Sequence, residues 1–287
     1  MSGMTLQVLG VVVGVLMVGA CGVGGGSGEM GWRKPAARSG YAPVNGLRIY
    51  YEVHGEAMRG QVPVVLMHGG GSTIETSFEK LIPVLARGRE VIAFEQQGHG
   101  HTADVEGRPF SFEQSADDAV GLLDYLKVEK ADFVGYSNGG TIALAVGVRH
   151  PEKVRKLVIV SGMFKRDGMA EGFWDGMAHA TLETMPAELK AAYVKVAPHP
   201  EQLPVFFDKS VKRMVEFKDW PVEKVKGIEA PALVMVGDKD VVRVEHGVEM
   251  ARAMPRGELA VLPGTDHMQM VEWKAWQVGM VEGFLGK

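Results

Sequence analysis

Residues 133–142, FVGYSNGGTI, place the pattern Gly-x-Ser-x-Gly between two apolar runs. This pattern is typical of a strand that turns sharply into a helix and holds the serine, Ser137, exposed at the turn. Glycine at positions 135 and 139 allows the close approach of strand and helix, because a side chain there would strike the neighbouring backbone. The stretch therefore predicts a strand–elbow–helix unit that presents a strained, nucleophilic serine.

The composition is that of an ordinary globular protein, with 46% hydrophobic and 23% charged residues in a chain of 287. That length suffices for one large α/β domain or two small ones. A net charge of −4 gives no reason to expect nucleic acid or an anionic membrane surface as a partner. The single cysteine excludes an intramolecular disulfide, and no Cys/His cluster has metal-ligand spacing, so we expect neither a metal nor a cofactor.

The first 40 residues are interpreted as a targeting segment and linker. Residues 8–20 are apolar or glycine throughout, too few for a membrane span of roughly 20 residues but suited to a secretory signal. The ending VGAC at 18–21 resembles the lipobox of bacterial lipoproteins, in which the cysteine, here Cys21, is lipidated. The Gly/Ser-rich residues 22–28 would then form a flexible tether.

This interpretation predicts an exported protein that is lipid-anchored to a bacterial membrane or periplasmic, with membrane contact only through the lipid. No Lys or Arg precedes the apolar run. An ordinary cleaved signal, or a leader with a chance cysteine, therefore stays open as an alternative.

The remaining residues, 41–287, alternate apolar runs with helical patterns. Asn45-Gly46 predicts a hairpin that opens the fold, since both residues accept positive φ. Continuous apolar runs predict buried strands at 63–67, 91–94, 131–136, 156–160, 231–236 and 258–262. Apolar spacing predicts helices at 75–85, from Ser111 with a Ser111/Gln114 capping box, at 138–148 and at 273–285.

This alternation predicts an α/β fold with a mostly parallel central sheet, an antiparallel hairpin at its start and helices on both faces. The rhythm breaks between about 163 and 227, where the chain is helical in character and rich in Met and aromatic residues. We therefore expect a helical lid inserted between two strands of one domain.

A serine nucleophile needs a base that takes its proton and an acid that orients the base. In folds with this elbow the partners follow in the chain order serine, acid, histidine. Asp238 and Asp240 follow one predicted strand, and His267 follows the last one. Such strand-end loops are where catalytic groups belong, because a rigid sheet fixes the positions of the loop bases.

Five motifs together resemble the α/β-hydrolase superfamily over nearly all of the domain from about residue 41. They are His68-Gly69-Gly70, Gly98-His99-Gly100, Gly135-Tyr136-Ser137-Asn138-Gly139, Gly237-Asp238-Lys239-Asp240 and Gly264-Thr265-Asp266-His267. The chain is most similar to the small lid-bearing branch of esterases, lactonases, carbon–carbon hydrolases and cofactor-free peroxidases.

The resemblance implies Ser137 as nucleophile, His267 as base and Asp240 as acid, because the family's acid stands three residues after the glycine. Asp238 is then a loop-capping or salt-bridging carboxylate. A tetrahedral intermediate also needs backbone N–H groups at its oxyanion. Asn138, the residue after the nucleophile, is expected to supply one. The loop after His68-Gly69 supplies the other, with Gly70 preferred and Gly71 as the alternative.

The lid is expected to shape the substrate pocket. Most of its Met and aromatic residues are predicted to pack the lid onto the domain, while Met163 and Phe164, beside a strand end, face substrate. Of the histidines outside the motifs, His246 is assigned to the surface or a loop. His68 is expected to shape the oxyanion loop through hydrogen bonds, and His99 to have a structural role.

These observations favour a serine hydrolase of carboxylesterase type that cleaves a small carboxylic ester, thioester or lactone. Cofactor-free perhydrolysis and carbon–carbon bond hydrolysis of a diketone use the same triad and stay open. Epoxide hydrolysis and dehalogenation are disfavoured, because those relatives carry Asp at the position of Ser137. The remote non-enzyme alternative is a hydrolase-like binding protein, although such proteins usually lose a triad member.

Overall fold

A computed structural model describes residues 38–58 and 60–286 of the chain. The predicted signal, the tether and Cys21 lie outside the described residues. In the described part, no helix combines the length and apolarity needed to cross a membrane.

Eight strands in the described residues form one sheet in the order β1-β2-β4-β3-β5-β6-β7-β8. Strands β1 and β2 form an antiparallel hairpin, and β2 also pairs with β4 in antiparallel fashion. The six strands β3 to β8 run parallel to one another. Asn45 and Gly46 both have positive φ, as the predicted hairpin turn requires. The strands are β1 Arg38–Val44, β2 Leu47–His54, β3 Val64–Met67, β4 Val91–Phe94, β5 Ala131–Tyr136, β6 Val154–Val160, β7 Ala232–Lys239 and β8 Gly257–Asp266.

Helices cover both faces of this sheet, because alternate residues of each central strand point to opposite sides. Val65 and Met67 of β3 face one apolar core, while Val64 and Leu66 face the other. The first core is closed by α3, α4, α8 and α9, the second by α1, α2 and α10. The helices are α1 Ile74–Phe78, α2 Ile82–Leu85, α3 Phe112–Tyr125, α4 Asn138–Arg149, α5 Phe173–Ala178, α6 Ala187–Val196, α7 Leu203–Val215, α8 Val222–Lys226, α9 Val244–Ala253 and α10 Ala275–Gly286.

Two local predictions need correction. The helix expected across 75–85 is broken into α1 and α2, since Pro83, in the first turn of α2, has no N–H with which to continue α1. At the start of α3 the Ser111 side chain accepts from the Gln114 amide as predicted. The reciprocal half of the capping box is absent, because Gln114 Oε1 has no partner within the described residues.

The chain between β6 and β7 is helical and carries α5 to α8. Its helical segments fall within residues 163–227, the predicted lid. Phe110, before α3, packs with Met185, Tyr193 and Phe206 of this lid in a separate apolar cluster. The lid is thus attached to the domain body both by this small cluster and by Met214, Phe217 and Trp220, which belong to the first apolar core.

Candidate active site

The elbow between β5 and α4 has the strain that its sequence predicts. Ser137 has φ 55° and ψ −116°, a conformation that costs a non-glycine residue about 1–3 kcal/mol. A Cβ on Gly135 would lie 2.0 Å from Gly139 O, and one on Gly139 would lie 1.9 Å from Met67 O. The two glycines therefore allow strand and helix to meet at a distance that no other residue permits.

Gly139→Ala is expected to lower the free energy of unfolding by at least about 3 kcal/mol, because the methyl group would overlap the backbone of β3. The matched control is Gly283→Ala in α10, where nothing lies within 4 Å of the added carbon. That change should leave stability equal or raise it by roughly 0.5–1 kcal/mol. Urea unfolding of both variants measures the difference, and equal stabilities would contradict this account of the elbow.

Three strand-end loops bring Ser137, His267 and Asp240 into one hydrogen-bonded line. His267 Nε2 lies 3.0 Å from Ser137 Oγ, and His267 Nδ1 lies 2.7 Å from Asp240 Oδ1. With the Nδ1 proton directed at the carboxylate, Nε2 is left to accept the serine proton. This is the geometry that a nucleophile, its base and an orienting acid require.

The environment of Asp240 keeps it a carboxylate. Burial acts to raise its pKa, but the charge and hydrogen bond of His267, the Ser161 hydroxyl and the Val242 amide outweigh burial and lower it. Asp238 is exposed and instead accepts a hydrogen bond from the Thr265 amide at 3.1 Å. The structure thus brings Asp240, and not Asp238, to the histidine, and Asp238 caps the loop.

The oxyanion-binding amides can be identified from their hydrogen bonds. Asn138 is the first residue of α4, where an N–H has no partner inside the helix. Gly71 N–H donates to His99 Nε2 at 3.3 Å. Gly70 N–H has no hydrogen-bond partner among the described residues. Gly70 is therefore better placed than Gly71 to bind a developing oxyanion together with Asn138.

A buried histidine holds the loop that carries Gly70. His68 Nδ1 donates to Gly69 O at 2.8 Å, while its Nε2 accepts from the Gln96 amide at 3.1 Å. Gln96 Nε2 in turn donates to His68 O at 2.8 Å. Burial lowers the pKa of His68 to about 4, so this histidine stays neutral and acts as a hydrogen-bonding support.

A cavity of about 470 Å³ opens on Ser137 beneath the lid. Its wall is mostly apolar, and no Lys or Arg of the described chain lines it. Met163 faces this cavity, as predicted for the pocket. The lid side is formed largely by Met169, Phe173, Met177, Met185, Leu189 and Phe207.

Phe164, which was expected to face substrate, does not line the cavity. It is fully buried in the core behind it, and its ring stacks on that of His246 with centroids 4.7 Å apart. His246, assigned to the surface from sequence, is likewise buried and accepts a hydrogen bond from the Phe164 amide at 3.2 Å. The apolar contact and the hydrogen bond together hold both residues away from the site.

Sequence reasoning missed two residues whose hydrogen bonds position Asp240 and His267. Ser161, directly after β6, donates a hydrogen bond to Asp240 Oδ2. Tyr136 donates to the backbone oxygen of His267 at 2.8 Å. Ser161 could have been found as a polar residue at the end of an apolar strand, at the same sheet edge as the other candidates.

Residues 62–191 match the family described as alpha/beta hydrolase fold. Over these residues the chain belongs to the α/β-hydrolase family, and its fold is that of solved α/β hydrolases. The protein is similar to 2-hydroxymuconate semialdehyde hydrolase of Pseudomonas sp. (strain CF600), with 28% identity over 247 residues that cover 78% of this chain and 87% of the relative.

Solved structures of the superfamily share its fold. The enol-lactonase from Burkholderia xenovorans LB400 superimposes with a TM-score of 0.68 at 23% identity, covering 86% of this chain and all of that one, 100%. Est816, an N-acyl homoserine lactone degrading enzyme, gives a TM-score of 0.65 at 25% identity over 84% of this chain and 98% of the other. The first likeness, at its low identity, shows the fold alone.

Proposed function

We propose that this α/β hydrolase is a serine hydrolase that cleaves a carboxylic ester, thioester or lactone through an acyl-enzyme on Ser137. The proposal rests on one observation: hydrogen bonds join Ser137, His267 and Asp240 at an apolar cavity lined by Ser137, His267 and Gly70, and the Gly70 N–H has no partner among the described residues. Each element is needed for acyl transfer, and together they supply nucleophile, base and oxyanion donors.

The proposed reaction has two halves. Ser137 Oγ attacks the substrate carbonyl carbon while His267 Nε2 takes the hydroxyl proton, and the N–H groups of Asn138 and Gly70 bind the resulting oxyanion. Collapse breaks the bond to the leaving group, which receives the proton from His267. Water, deprotonated by His267, then attacks the acyl-enzyme; the bond to Ser137 Oγ breaks, His267 returns the proton to that oxygen, and the carboxylic acid is released. Asp240 stabilises the imidazolium in both halves.

The cavity favours a substrate with an uncharged, apolar acyl group. Its volume lies in the usual range for small-molecule sites, and its methionines adapt to irregular shapes. Glu188 is the one acidic residue among the described residues that line the cavity, and it lies in an exposed part of the lid. Uncharged acyl groups therefore fit better than anionic ones.

Carbon–carbon bond hydrolysis of a diketone is the second candidate. It is favoured by the similarity to 2-hydroxymuconate semialdehyde hydrolase, which covers most of both chains. The same serine, histidine and oxyanion donors would act on a ketone carbonyl, with a carbon leaving group in place of an alkoxide. Perhydrolysis stays a prediction that no observation favours.

A fluorophosphonate probe, followed by peptide mass spectrometry, tests the proposal directly. We expect one adduct, on Ser137, because the probe needs an activated serine beside an oxyanion hole. The same preparation is then assayed on p-nitrophenyl esters of graded acyl length, an N-acyl homoserine lactone and a 1,5-diketone. Turnover of the diketone alone would favour the second candidate, and an unlabelled Ser137 would contradict both.

A further inference from the structure

Arg213, on lid helix α7, is a buried cation without a counter-ion among the described residues. The residue is 5% exposed. Its Nη1 donates to Gln96 Oε1 at 3.3 Å, whereas Nε and Nη2 have no hydrogen-bond partner within residues 38–58 and 60–286. No carboxylate of that range pairs with it either. Buried arginines are normally paired, since an isolated buried charge is costly.

The guanidinium lies against the oxyanion loop. Its Nη2 is 3.7 Å from the position that a Cβ on Gly70 would occupy. The rings of Phe110 and Phe112 stand 5.7 and 5.1 Å from its Cζ, and the buried side chains of His68 and His99 are close enough to interact with its charge. Burial lowers the pKa of Arg213 to about 10, which leaves it fully charged at neutral pH.

One chain of hydrogen bonds connects Arg213 to that loop. Arg213 binds the Gln96 side chain, which binds the backbone oxygen of His68, and His68 binds Gly69. The lid helix is therefore joined through Gln96 to the segment whose next residue, Gly70, is the proposed oxyanion donor. We therefore expect a displacement of Arg213 to shift the Gly70 N–H.

We propose that Arg213 is a positioning residue of the hydrolase: through Gln96 it fixes the oxyanion loop, and its unpaired charge stabilises the oxyanion across Gly70. This inference rests on the proposed function, because it concerns the same oxyanion. No carboxylate in the described part of the chain pairs with this cation before the reaction. Negative charge develops beside it only as the serine attacks, so the interaction favours the transition state over the bound ester.

A lid anchor is the competing role, and the same helix offers a matched control for it. Lys209 Nζ binds Asp104 Oδ1 and Oδ2 at 2.8 and 2.6 Å and Val105 O at 3.1 Å, which ties α7 to the domain body. Lys209→Met loosens the lid without touching Gln96. Lys212→Met, at a side chain 66% exposed, controls for the loss of one positive charge.

The test compares Arg213→Met, Arg213→Lys, Lys209→Met and Lys212→Met with the wild-type protein. The readouts are kcat and KM for p-nitrophenyl butyrate, inhibition by butaneboronic acid, which forms an anionic tetrahedral adduct with a serine, and the melting temperature. Arg213→Met should lower kcat roughly 10- to 100-fold with KM changed less than about 3-fold. The affinity of the enzyme for butaneboronic acid should fall by a similar factor.

The melting temperature separates a charge placed for catalysis from a structural one. Arg213→Met should melt no lower than the wild type, since it removes an unpaired buried charge. Arg213→Lys should recover part of kcat, and Lys212→Met should behave as wild type. A joint fall of kcat and melting temperature in both Arg213→Met and Lys209→Met would overturn the inference, as would unchanged boronic acid binding. A wild-type protein inert to the ester and to the fluorophosphonate probe would overturn the proposed function, and this inference with it.

Discussion

Ser137→Ala should lower kcat/KM for ester hydrolysis by about 10⁶-fold, because without the hydroxyl no acyl-enzyme forms and the remaining groups cannot substitute for it. The fold should persist, since alanine keeps the backbone of the elbow and removes only an oxygen that faces the cavity. Steady-state kinetics with p-nitrophenyl butyrate, together with fluorophosphonate labelling, measure the loss.

A second serine provides the control for this variant. Ser111 caps α3 and takes no part in the site. Ser111→Ala should cost about 1 kcal/mol of stability but leave turnover unchanged. Ester hydrolysis by Ser137→Ala within about 100-fold of wild type, in a preparation that no longer takes the probe, would refute the covalent mechanism.

Asp240→Ala is expected to lower kcat by about 10⁴-fold. The carboxylate fixes the Nδ1 proton of His267 and stabilises the imidazolium, so its loss leaves the base misoriented and the charge that forms on it without a partner. Its other partners, the Ser161 hydroxyl and the Val242 amide, would also lose their acceptor, and a lower melting temperature should accompany the effect.

Asp238 provides the matched control for the Asp240→Ala variant. Asp238→Ala removes the same group two residues earlier, where it is exposed and bonds only backbone amides of the loop that carries His267. Turnover should then fall no more than several-fold. If Asp238→Ala proved as damaging as Asp240→Ala, the assignment of the acid would be wrong.

The architecture could be predicted because its signals are local. Continuous apolar runs indicate strands buried on both faces, and Asn45-Gly46 fixes the hairpin by its backbone preference. The break between α1 and α2 could have been read from Pro83, whose effect on a helix is equally local. The apolar spacing runs on through both helices, so that spacing alone does not reveal the break.

The direction in which individual side chains point could not be predicted from the sequence. Met163 and Phe164 are neighbours of similar character, yet one lines the cavity and the other is buried behind it. His246 has no motif, and its burial depends on the stacked Phe164 ring from a distant segment. Such contacts join residues that no local pattern relates.

Arg213 carried a signal that was overlooked. It shares a face of α7 with Phe206 and Ser210, at the i, i+4, i+7 spacing of a buried stripe, whereas its charge suggests an exposed position. A charged residue on the apolar face of an amphipathic helix is unusual enough to mark a functional candidate. The proximity of Arg213 to Gly70, by contrast, depends on the folding of the lid onto the domain and has no signal in the sequence.

The hydrogen bond between Ser137 and His267 joins groups 130 residues apart, and Tyr136 spans a similar separation to the same loop. Because a ribosome releases the chain from its N-terminus, the strand and helix around the serine emerge long before β7 and β8. Throughout that interval the serine has neither base nor acid. We therefore expect Ser137 to gain its hydrogen bond with His267, and the proposed reactivity that depends on it, only when the last strand docks against the sheet.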